Sequence, residues 1–158
     1  MDLSAPHTNA LAFYSSIDAA PTKMMWSLKV PDEEGKIIVT YLNSSFNLLQ
    51  ALLHRAETRG AFIGLSKYIL NDFLVVDPSK LSSDEREILL DVFRKVRGVE
   101  LPSILDQLRR KNPYRQVIDR AWLEILGYEG DADELLDGLY ESLAYEIELL
   151  KKLMAEHG

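Results

Sequence analysis

Hydrophobic and polar positions change their rhythm about halfway along this chain. Asn9-Ala10-Leu11-Ala12-Phe13-Tyr14-Ser15 is apolar and aromatic enough for a strand, and Asp18 to Thr22 is turn chemistry. In Lys23 to Val30, Trp26, Leu28 and Val30 alternate with Ser27 and Lys29, which predicts a second strand with one wet face. Pro31-Asp32-Glu33-Glu34 supplies a stop and a helix start, with acids where the helix dipole favours them. Apolar residues then recur at helical spacing from Lys36 to Arg55, predicting one long helix. Thr58-Arg59-Gly60 breaks it. Ala61 to Leu65 reads as a short strand, Ser66 to Asp72 as a helical turn, and Phe73 to Val76 as a short buried strand ended by Asp77-Pro78.

After Pro78 the pattern is helical throughout. Ser82 and Glu85 have capping-box spacing, and that helix runs to about Val96 and stops at Gly98. Pro102 suits the first position of the next helix, which ends near Lys111. Asn112-Pro113 repeats the start for a third, stopping at Gly127. Asp131 and Glu134 cap a final helix from about Asp133 to Met154. Leu136, Leu139, Leu143, Ile147, Leu150 and Met154 step along it by three and four. Such a seam more often packs on its own domain; pairing with a second copy through it is the alternative. The expected fold is therefore α+β: a recognition-like strand-and-helix part over residues 1–78, and a part of about four helices over residues 79–158.

Composition narrows the function. The 158 residues are 47% hydrophobic, enough for a core without staples, and contain no cysteine, which excludes disulfides and thiolate metal sites. The start, MDLSAPHTNA, has neither a basic flank nor an apolar h-region, and no apolar run approaches the ~20 residues that span a bilayer. A cytoplasmic location is expected, with no membrane partner. The net charge of -7 counts against a free-standing nucleic-acid binder. It is unevenly spread. Arg86 to Arg120 holds nine Lys/Arg against five Asp/Glu, a net of +4, whereas Ala121 to Gly158 holds two against ten, a net of -8. Pairing of helix faces within the chain is the simplest consequence.

Catalytic constellations are not legible. His7 and His157 lie near the termini, and His54 has no second histidine at ligand spacing. No metal, cofactor or catalytic residue is assigned on these grounds. No Gly-rich phosphate loop of standard spacing occurs, and acid pairs such as Asp131 with Asp133 suit solvated helix starts. Asn112-Pro113-Tyr114 resembles the Asn/Asp-Pro-Pro-Tyr tetrad with which amino-methylating DNA methyltransferases hold a flipped base. One proline is missing, and a cap, a first-turn proline and a helical tyrosine account for the segment more simply.

A second likeness covers most of the chain. Tyr41-Leu42-Asn43-Ser44-Ser45-Phe46, then Glu57-Thr58-Arg59-Gly60-Ala61-Phe62, Tyr68-Ile69-Leu70 and Leu74-Val75-Val76-Asp77-Pro78 follow one another in order. This order resembles the C-terminal, target-recognition-like region of adenine-specific DNA methyltransferases of restriction–modification systems. The segments around Leu11 to Tyr14 and Trp26, and Asp119 to Gly127, are similar to the flanks of that region. The cofactor-binding and catalytic motifs of such enzymes are not in these residues. The resemblance implies S-adenosylmethionine as cofactor of the complete enzyme, bound by the catalytic half and not by this chain, which would be inactive alone. It implies double-stranded DNA and a catalytic methyltransferase domain or subunit as partners. Candidates for DNA contact are polar or cationic residues beside rigid elements: Lys23, Asn43, Ser44, Thr58, Arg59, Lys67, Arg109, Arg110, Lys111 and Arg115. Each has a plainer role beside it. Asn43 and Ser44, with Ser45, suit helix packing; Arg59 suits a surface ion pair with Glu57; the cluster from Arg109 to Arg115 suits a solvated helix junction. The competing function is a structural module that docks a partner subunit through the acidic last helix.

Overall fold

A computed structural model describes residues 2–17, 25–54 and 67–157. The described residues are nearly all helical and contain no sheet, so the expected α+β class is wrong. The elements are α1 (Asp32–Leu42), α2 (Ser45–Leu53), α3 (Lys67–Asn71), a short 3-10 turn (Pro78–Lys80), α4 (Ser83–Val96), α5 (Ile104–Arg109), α6 (Pro113–Ile125) and α7 (Ala132–His157).

Two of the expected strands are stretches without regular structure, some of whose backbone groups are met by carboxamide side chains instead of by a neighbouring strand. Asn43 Oδ1 accepts from the Leu11 and Ala12 amides at 2.8 and 3.2 Å, while its Nδ2 donates to the Ala12 carbonyl at 2.9 Å. Gln107 Nε2 donates to the Asn9 carbonyl at 2.8 Å. At the other segment, Gln50 Oε1 accepts from the Leu74 amide at 2.6 Å and Gln50 Nε2 donates to the Leu74 carbonyl at 3.2 Å. Backbone donors and acceptors need partners, but a ladder is only one way to provide them. Residues 25–30, the described part of the second expected strand, are irregular and mostly exposed. The expected strand over 61–65 lies outside the described residues.

The expected helix from Lys36 to Arg55 is two helices. Ser44 takes extended backbone angles, and its hydroxyl accepts from the Asn47 amide at 3.2 Å, so it caps α2. The break sends the two halves to different cores. In one, Ile37 and Tyr41 of α1 meet Leu89 and Val92 of α4 and Ile118 and Trp122 of α6. Tyr41 stands edge-on to Trp122, ring centroids 5.2 Å apart. In the other, Leu48 and Leu52 of α2 meet α5 through Ile104 and Leu108, and α7 through Leu143 and Ile147. Both clusters draw residues from either side of Pro78.

The local helix signals are realised. Ser82 and Glu85 form both bonds of the capping box. Replacing Ser82 by alanine is expected to cost about 1 kcal/mol, read as a fall in the denaturation midpoint, because it leaves the Glu85 amide without its acceptor. A loss within error would mean that α4 does not need its cap. Pro102 does not open α5; Ser103 caps that helix, two residues later than the pattern suggests. Both α5 and α6 close in the same way. The amides of Asn112 and Lys111 donate to the carbonyls of Gln107 and Leu108, and those of Tyr128 and Gly127 to Leu123 and Glu124. The left-handed residue is Gly127 (φ 73°) in one and Lys111 (φ 48°) in the other. Asn112 finishes the first closure and immediately caps α6, accepting from Tyr114 and Arg115. The look-alike Asn112-Pro113-Tyr114 is thus a helix start.

Candidate functional site

Asn43 just after α1, the first residue of α2, and helices α5, α6 and α7 converge on one buried polar cluster. Arg115 and Asp119 lie one turn apart on α6 and are 4% and 0% exposed. Asp119 Oδ1 accepts from the Ser45 amide at 2.7 Å. Its Oδ2 accepts from the Ser45 hydroxyl at 2.7 Å and from the Tyr140 hydroxyl at 2.8 Å. Arg115 Nε donates to Gln107 Oε1 at 3.0 Å, and Nη1 donates to the Asn43 carbonyl and to Ser45 Oγ, both at 3.2 Å. The Ser45 hydroxyl therefore links the two charged groups. Burial pushes the Asp119 carboxyl up and the Arg115 guanidinium down, and their mutual attraction works against both shifts. Tyr140 is raised far above an ordinary phenol, by burial first and then by the Asp119 charge.

Arg115 also lines a cleft of about 530 Å³ between the N-terminal segment, α1, α4 and α6. Tyr14 and Phe93 form one wall, edge-on with centroids 5.3 Å apart. Asn43, Gln107 and Ile118 stand beside Arg115, and Arg97 and Lys36 contribute further positive charge. Asp32 bonds both Lys36 and the Tyr14 hydroxyl. Its hydrogen bond to Lys36, then that to Tyr14, holds the Asp32 carboxyl below the usual carboxylate range, and the same contact raises the Tyr14 phenol.

The residues proposed from sequence for DNA contact are dispersed. Asn43 and Ser44 are spent on the N-terminal segment and on the α2 cap. Arg115 is buried. Arg109 contacts Glu148 of α7, Lys111 Nζ lies 2.7 Å from Asp137 of α7, and Arg110 Nη2 lies 3.9 Å from Asp106. Three cations of the basic stretch, Arg109, Lys111 and Arg120, thus meet acids of the last helix, while Arg86, Arg94, Lys95 and Arg110 pair elsewhere in the chain. Lys23, Thr58 and Arg59 lie outside the described residues. Lys67 opens α3, and its side chain is outside them too. Sequence reasoning missed Gln107, Asp119 and Tyr140 as a group. The one advance signal was the spacing of Arg115 and Asp119, which reads equally well as a surface ion pair.

The α7 seam is occupied within the chain: Leu136, Leu143, Ile147 and Leu150 are in the core, with Leu139 packed against it. Among the described residues no helix is long and apolar enough to cross a membrane. Compared with protein-family models, with curated proteins and with solved structures, the chain matches none.

Proposed function

We propose that this chain is the non-catalytic C-terminal portion of an adenine-specific, S-adenosylmethionine-dependent DNA methyltransferase, a cytoplasmic enzyme whose catalytic half it docks against. One observation carries the reading. Two residues of the segments with the ordered resemblance are exposed apolar side chains, Tyr68 at 83% and Leu74 at 78%, as is Leu53 at the end of α2, at 73%. Gln50, one turn before Leu53, ties the Leu74 backbone to α2, which brings Leu74 to the end of α2 that carries Leu53. Exposed apolar side chains gathered at one end of a helix suit an interaction face, and a catalytic half of the same enzyme is the partner that the motif order implies. DNA contact would come from Lys23, Thr58, Arg59 and Lys67, since the cations from Arg109 to Lys111 face acids of their own chain. With few phosphates touched, duplex binding would be weak and its salt dependence shallow.

The test is co-expression with the adenine-methyltransferase catalytic subunit of the same genome, reading co-purification, adenine methylation and duplex binding at low salt. The intact chain is expected to assemble and to support methylation. Leu53→Glu combined with Leu74→Glu is expected to abolish assembly while leaving the helical content unchanged. An intact chain that neither assembles nor binds a duplex, alone or with the catalytic subunit, sinks the proposal.

A further inference from the structure

The Arg115 side chain has more hydrogen-bond donors than the protein uses. Nε and Nη1 have acceptors, whereas Nη2 has none among the described residues. Arg115, itself 4% exposed, is one of the residues that line the cleft. A cleft-lining guanidinium held by three protein acceptors, with no acceptor for one terminal nitrogen among the described residues, has donors to offer an oxyanion. The cost of burying that charge is already met by Ser45, Asp119, Gln107 and the Asn43 carbonyl, so the side chain is rigid before any ligand arrives.

We infer that the cleft binds a small organic oxyanion, a carboxylate or phosphate carried on an aromatic body, with the oxyanion on Arg115 Nη2 and the ring against Tyr14 and Phe93. The charge of the lining agrees. Arg97, Lys36 and Arg115 stand against Asp32 alone, a net of +2 (three minus one) in a chain whose total is -7. Asp32 is bonded to Lys36 and Tyr14, and Asp119 is not among the lining residues, which leaves Arg97 and Arg115 as the cations an anion would meet. The volume, about 530 Å³, is within the range of small-molecule sites. Apolar walls with a few fixed polar groups are the usual composition of such sites.

The test is isothermal titration of the full chain with phenyl phosphate, benzoate, inorganic phosphate and neutral benzyl alcohol. Saturable binding of phenyl phosphate or benzoate is expected, and whichever binds more tightly identifies the head group. Inorganic phosphate should bind at least about tenfold more weakly, because it brings no ring, and benzyl alcohol should not saturate. Arg115 is too central to the fold to carry the test by substitution. Arg97 is exposed in the turn after α4, so Arg97→Glu should fold and should weaken binding by about tenfold or more. Nitrogen NMR of the Arg115 guanidinium should shift on saturation. Absence of saturable binding by both aromatic anions, equal binding by benzyl alcohol, unchanged affinity in Arg97→Glu, or an unmoved Arg115 resonance would each overturn the inference.

Discussion

Asp119→Ala is expected to destabilise the protein by about 3–5 kcal/mol, the range for leaving a buried charge without its counter-charge. The carboxylate accepts from Ser45 twice and from Tyr140 once. Its removal leaves the first amide of α2 and a buried phenol without acceptors, and leaves the Arg115 guanidinium with no counter-charge at a site 4% exposed. Replacing both charged residues by apolar ones of similar size should recover much of the loss, because the desolvation cost then disappears from both sides. Chemical denaturation of the single and double variants measures this. A single variant that loses less than about 1 kcal/mol would mean that the cluster is wetter than its burial implies.

Ile147→Ala is expected to cost about 2–5 kcal/mol, as for other large-to-small changes in a closed core. Ile147 is fully buried in the cluster shared by α2, α5 and α7. Tyr145, two residues earlier, is 65% exposed, and its change to alanine should stay within about 0.5 kcal/mol. Denaturation midpoints and sedimentation equilibrium, run on the same samples, separate two roles for the seam. If it serves the fold, Ile147→Ala lowers the midpoint and leaves the association state alone. If it joins two copies, the same change alters the association state at nearly native stability.

What the sequence by itself determined was local. Ser82 with Glu85, Asn112 before Pro113, Asp131 before α7, and Gly98 and Gly127 at φ 75° and 73° mark helix ends where the pattern puts them. Each of these works through groups within about four residues of one another, so no distant partner can veto it. The α7 periodicity belongs to the same class. The strands failed for the opposite reason. An apolar, aromatic run states that a segment will be extended and partly covered, but a strand also needs a neighbour, and here Asn43, Gln50 and Gln107 fill that place from 24 to 98 residues away. The break at Asn43 and Ser44 was invisible in the spacing of the apolar residues, which continues in helical phase through it. Only the tertiary structure decided that α1 and α2 face different cores.

The candidate site divides in the same way. Arg115 was legible as a cation at a helix start, and its sequence surroundings suggested phosphate. Its burial was decided by Ser45, 70 residues away, and by Tyr140, which reaches the same carboxylate from α7. A charged side chain leaves solvent only when enough partners converge to offset its desolvation, and convergence from four helices is a property of the packed chain. The cleft beside it exists because the N-terminal segment, which sequence placed in a sheet, is instead pinned by Asn43 and Gln107 across the ends of α1 and α5.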